Sequence, residues 1–112
     1  MARSEERFQV VLTTAGSDEE ARAIAGALVR RRLAACVNIL PGARSVYRWK
    51  GEIQEDEERL LLIKSSRRLF PAVREAIREL HSYDVPELLA LPVEDGDPAY
   101  LGWLAECLGE EQ

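Results

Sequence analysis

The chain has 112 residues, a net charge of −5 and 46% hydrophobic residues, the proportions of one globular domain able to bury a real core. That acidic balance argues against a nucleic-acid binder, which needs clustered basic residues for phosphate; here Arg30 to Arg32 and Arg67-Arg68 are interspersed with acids. Apolar runs such as Leu60 to Ile63 are far too short to span a bilayer, the polar start Met1 to Glu6 is not a signal peptide, and two distant cysteines are too few for a secreted scaffold, so the expectation is a cytoplasmic protein with reduced thiols and no membrane partner.

Phe8 to Thr14 is apolar and β-branched and reads as a buried strand. Ser17 or Asp18 can cap the helix that follows, in which Ala21, Ile24, Ala25, Leu28 and Val29 fall on one face. A second strand covers Ala34 to Leu40, is interrupted by Pro41-Gly42 and resumes from Ser45 to Trp49, and Lys50-Gly51 marks a hairpin turn or bulge. The return strand starts near Ile53 and turns apolar at Leu60. Ser65 or Ser66 is placed to cap a second helix, with Pro71 in its first turn and Phe70, Val73, Ile77 and Leu80 inward. Leu88 to Val93 forms the fourth strand. Asp97-Pro98 opens a last helix, with Leu101, Leu104 and Leu108 inward. Residues 1–6 and 109–112 read as frayed ends.

The order is β-α-β-β-α-β plus an extra C-terminal helix: an α+β, ferredoxin-like domain with both long helices on one face of an antiparallel sheet. The central hairpin is too long for so small a sheet and projects with Val46, Tyr47, Trp49 and Ile53 on it. An apolar ribbon with free edges, next to an uncovered sheet face, needs another chain to cover it, so a closed homo-oligomer is expected.

His81, the single histidine, lies in the dense segment His81-Ser82-Tyr83-Asp84-Val85-Pro86-Glu87 between the second helix and the last strand. These residues, with Leu33 to Asn38, Tyr47-Arg48-Trp49-Lys50-Gly51 and Tyr100 to Leu104, resemble the CutA family of divalent-cation tolerance proteins, in order from about Val10 to Leu108. The resemblance implies a non-catalytic cytoplasmic homotrimer, similar to the PII signalling proteins, linked to copper and other divalent metals. It also implies a copper site built from a first-strand cysteine and two adjacent histidines. Only His81 matches here; Thr13 and Leu80 stand at the other two positions.

Each singled-out residue carries two readings. His81 is a metal ligand, or a helix-end group or subunit contact. Cys36 is a soft ligand for copper or zinc, or a packed thiol, and Cys107 reads as packing. Tyr83 can hydrogen-bond across a subunit boundary, Pro86 fixes the chain before the strand, and Glu87 either orients His81 or makes a surface ion pair. Tyr47, Trp49 and Trp103 line an inter-subunit cleft or anchor an interface. The acidic run Glu55 to Glu58 reads as a solvated hairpin face rather than a hard-cation site. No nucleophile–base pair at motif spacing appears, and the acids at Asp18 to Glu20 spoil the first helix start as an anion loop, so no enzyme is expected. The alternative to metal response is a PII-like signalling module that binds a small ligand between subunits.

Overall fold

In the computed structural model, which describes residues 7–110, strand β1 (Phe8–Ala15) leads into helix α1 (Asp18–Arg30), the strands β2 (Cys36–Trp49) and β3 (Glu52–Ser66), helix α2 (Phe70–Leu80), strand β4 (Leu89–Pro92) and helix α3 (Pro98–Leu108). The sheet is antiparallel, in the order β2-β3-β1-β4. This is the expected ferredoxin-like order with the added C-terminal helix. The starts of α1 and α3 are capped as their sequences predict: Ser17 Oγ accepts from Glu20 N–H, and Asp97 accepts from Ala99 and Tyr100 N–H.

Along each strand alternate residues share a face. Val11, Val37, Leu61, Ile63 and Ala90 face Ile24, Leu28, Val73 and Ile77 of α1 and α2, and form the main core. Phe8 has the opposite phase. It packs with Leu104, Ala105 and Leu108, so α3 covers only the end of the second sheet face where β1 begins. The remainder of that face carries Leu40, Leu89 and Leu91, which are 43, 56 and 48% exposed.

Three local expectations change. Pro41-Gly42 does not interrupt β2. It forms a β-bulge between Leu40, opposite Leu60, and Ala43, opposite Glu58; Gly42 takes φ 82°, and an edge strand tolerates the missing proline N–H. Ser65 and Ser66 end β3 rather than capping α2. Ser65 Oγ donates to Leu33 O, while Ser66 Oγ accepts from Leu69 N–H in the turn before the helix. At the C-terminal end, Glu110 is held by Arg68 through both carboxylate oxygens, at 3.1 and 3.2 Å, so fraying does not begin at 109; residues 1–6, 111 and 112 lie outside the described residues.

β1 ends opposite Arg59, but β2 and β3 stay paired from Ala43 with Glu58 to Trp49 with Glu52. That ribbon projects roughly 20 Å at strand rise. It closes through Lys50 and Gly51 at φ 52° and 82°, the positive pair a type I′ turn requires. The domain is elongated as a result, 46 × 25 × 23 Å, with a radius of gyration of 14.7 Å, where a compact chain of this length has about 13 Å.

Leu61 is fully buried at the centre of the core. Leu61→Ala is expected to lower unfolding free energy by about 2–5 kcal/mol, read from the shift in denaturant midpoint.

Candidate functional site

The site lies where β1 stops and the hairpin continues. α2 ends at His81, whose backbone N–H still bonds to Ile77 O at 2.9 Å while its own φ and ψ, −84° and 141°, are already extended. The chain turns and sends the imidazole back beneath β1. There His81 Nε2 lies 2.6 Å from Thr14 O, and Nδ1 lies 3.1 Å from Tyr83 N. An amide N–H can only donate, so Nδ1 is the acceptor and Nε2 carries the proton given to Thr14 O. The ring is buried, leans on Tyr83 at 4.6 Å between centroids, and has both nitrogens engaged.

Three further bonds fix this segment. Ser82 N–H donates to Glu20 Oε2 at 2.8 Å, which ties the end of α2 to the first turn of α1. Burial works against ionisation of Glu20, but the hydrogen bonds from Ser82 and from the Gly16 backbone favour its charged form, and its pKa is lowered. Thr13 Oγ1 donates to Glu87 O at 2.7 Å. Tyr83 passes under Gly16, where an added Cβ would stand 3.0 Å from its hydroxyl, and donates to Glu58 Oε2 at 2.7 Å. On the other side of the same β-strand, Arg59 reaches Asp18 at 2.7 Å and Gly16 O at 3.2 Å.

Between this segment and the hairpin base is an open cleft of about 560 Å³. Tyr47, Trp49 and Tyr83 supply its aromatic surface, and Glu58, Asp84 and Glu87 its charge. Tyr47 donates to Asp56, and that hydrogen bond raises its pKa. Tyr83 is also raised above the usual phenol value, first by burial and then by its bond to Glu58.

Of the residues singled out in the sequence, Tyr47, Trp49, Tyr83 and Glu87 meet at this cleft, and Pro86 lines a neighbouring hollow together with Phe70 and Leu88. Trp103 does not join them; it pairs with Tyr100 on α3. Tyr83 spends its hydroxyl within the chain, on Glu58. Glu87 does not orient His81, because the ring's partners are Thr14 O and Tyr83 N–H. Cys36 is distant: it stands opposite Lys64, whose β1 partner is Val10, four residues along the strand from Thr14. Among the described residues, no three His, Cys, Asp or Glu side chains come together around a point that could hold a metal ion. The metal set implied by the resemblance therefore does not fit within one chain: His81 has no free nitrogen, Thr13 is turned to Glu87 O and Leu80 has no donor atom.

Glu58 is the residue the sequence hid. The acidic run is solvated at Glu55, Asp56 and Glu57, but Glu58 is only 6% exposed. Its phase was the available signal, since alternation places it on the same strand face as Leu60 and Leu62.

Residues 9–107 match the family described as CutA1 divalent ion tolerance protein. The chain belongs to that family. It is 54% identical over 101 residues to the divalent-cation tolerance protein CutA of Thermus thermophilus, covering 90% of this chain and 98% of that one. It is 50% identical over 91 residues to protein CutA of Mus musculus, covering 81% of this chain but only 51%, about half, of the mouse protein. Among solved structures, CutA1 from Oryza sativa superposes with a TM-score of 0.89 at 42% identity, covering 94% and 96% of the two chains. The Thermus thermophilus protein gives 0.87 at 55% identity, covering 88% and 96%. Relatives are named for different compartments, chloroplastic in rice and periplasmic in Archaeoglobus fulgidus. Among the described residues no helix is long and apolar enough to cross a membrane.

Tyr83→Phe leaves buried Glu58 without its hydrogen bond and is expected to cost about 1–2 kcal/mol. The raised Tyr83 pKa adds a pH signature. Its contribution to stability is fully present below the unfolded tyrosine value of 10.0 and is lost as pH rises through the higher folded value, because the unfolded chain releases the phenolic proton first. Denaturation midpoints should fall above about pH 10, and fall less steeply in Tyr83→Phe.

Proposed function

We propose that the chain works as a non-catalytic homotrimer in the cellular response to copper and other divalent metals, in the cytoplasm, where its two free thiols stay reduced. The observation that carries this reading is the family match over residues 9–107, together with the Thermus thermophilus relative's name as a divalent-cation tolerance protein. Assembly is supported by surface that a monomer has no reason to expose. The open sheet face presents Leu40, Leu89 and Leu91, and the ribbon presents Val46, Trp49 and Ile53. A closed ring of three covers such surface without leaving an edge from which a filament grows. The non-catalytic class is supported at the imidazole beside the cleft, which is spent on backbone groups rather than left free for proton transfer.

For the metal itself, the reading places binding at donors that meet only between chains. Cys36 is the stronger of the two expected ligands, a half-buried free thiol that alternation puts on the open sheet face. His81 takes the architectural role.

Native mass spectrometry tests both halves. A species of three 12.6 kDa chains is expected, and Trp49→Ala is expected to weaken it by removing interface area. A variant that stays trimeric at the lowest measurable concentration removes the ribbon from the interface. After metal stripping, uptake of zinc or copper(I) should persist in His81→Ala and disappear in Cys36→Ser. Loss in His81→Ala instead would return the site to the imidazole, and no uptake by any form would rule out direct binding.

A further inference from the structure

The hollow between α2 and the loop that leads to β4 has a chemistry that metal response does not use. Phe70, Arg74 and Arg78 follow one another at i, i+4 and i+8 and so form one stripe on α2. Phe70, Pro86 and Leu88 give the hollow an apolar wall. Arg74, Arg78 and Asp84 give it two positive charges and one negative, in a chain whose net charge is −5. Arg74 is the informative member. Its Nε is buried and has no hydrogen-bond partner among the described residues. Glu75 Oε1 stands 4.0 Å from it, beyond hydrogen-bond reach, and already accepts from Arg78 at 3.2 Å. The guanidinium lies instead over the Phe70 ring, 5.8 Å from its centroid. A buried N–H without an acceptor is costly, and an anion in the hollow offers that guanidinium the oxygen it lacks within the chain. The hollow also keeps clear of the surface that assembly covers. Phe70 and Leu88 pack against the main core on the helix side of the sheet, whereas Leu89 and Leu91 are exposed on the open face, and no ribbon residue lines it. Its volume, about 590 Å³, is that of an ordinary small-molecule site.

We propose that this hollow binds a small organic carboxylate, with its apolar body against Phe70, Pro86 and Leu88 and its charged end on Arg74 and Arg78. Guanidinium is the group suited to that task, because its planar fork matches the two oxygens of a carboxylate and its face rests on an aromatic ring. Asp84, in the same lining, repels a second negative charge, which favours a monoanion over a dicarboxylate or a phosphate monoester. The site uses no metal and no residue of the ribbon, so it stands independently of both halves of the proposed function.

Three probes with one carbon skeleton isolate the charge: phenylacetate, 2-phenylethanol and 2-phenylethylamine are anionic, neutral and cationic at neutral pH. Backbone amide NMR of the assembled protein locates each of them. Saturable shifts at Arg78 and Leu88 are expected with phenylacetate in the millimolar range, which is what so small a ligand permits, and at least about tenfold weaker binding of the other two probes. Arg78→Gln alters an exposed side chain, should fold as the parent by circular dichroism, and should weaken phenylacetate about fivefold. Arg74→Gln should weaken it further while leaving 2-phenylethanol unchanged. Asp84→Asn acts in the opposite direction and should tighten phenylacetate about twofold, a gain that lost packing does not produce. Equal binding of acid and alcohol, shifts confined to the ribbon, no saturation by about 20 mM, or unchanged phenylacetate binding in both arginine variants would overturn the proposal.

Discussion

Strand β3 is 15 residues long and its inner neighbour β1 is 8. Nothing else in the domain is as consequential as that mismatch. Where β1 stops, backbone groups that a longer strand would have paired are left to other partners. Beyond the last β4 pair, Leu89 with Leu12, the Thr14 carbonyl takes an imidazole; past the end of β1 the Gly16 carbonyl takes a guanidinium from Arg59; and on the overhanging part of β3 the side-chain carboxylate of Glu58 takes a phenol. Each partner comes from a distant part of the sequence, so the end of one short strand draws α1, α2, the hairpin and the loop before β4 to the same place. The remaining length of β2 and β3 then overhangs and supplies the second wall of the cleft.

That arrangement explains why the only histidine looks catalytic in the sequence and is architectural in the fold. An imidazole that bonds a carbonyl through one nitrogen and an amide through the other is held as a neutral, oriented ring. It does the work of a missing strand residue while passing the chain out of α2. The tie from Ser82 to Glu20 acts on the same corner, joining the end of one helix to the start of the other. A family name tied to metals and a histidine in a dense motif invite a metal site, yet within one chain the electron pairs are already committed.

Local chemistry was readable from sequence wherever the cause is local. Ser17 and Asp97-Pro98 cap helices because their own neighbours supply the N–H groups, and Lys50-Gly51 turns because glycine and the residue beside it accept positive φ. Element order followed from the same signals. What stayed hidden depends on contacts between distant residues. Glu58 is buried by Tyr83, 25 positions away, and looks like its solvated neighbours until that ring is placed. The position of α3 over Phe8 follows from which sheet face is free at one end, and its own apolar pattern says only that it packs. Ser65 and Ser66 misled because a serine before a helical stretch is also a good final residue for a strand that turns sharply.

The bulge in β2 separates two properties that are usually bound together. Gly42 is the extra residue relative to β3, so a chain lacking it could still set Ala43 against Glu58 and Trp49 against Glu52, with every side chain on its present face. Only the bend and added twist at that point would go. The bulge is thus a steering joint: it aims the overhanging ribbon without choosing what the ribbon carries. Insertions or deletions there offer evolution or a designer a way to widen or narrow the cleft, and to re-aim the ribbon toward a neighbouring chain, while the residues on each face are kept.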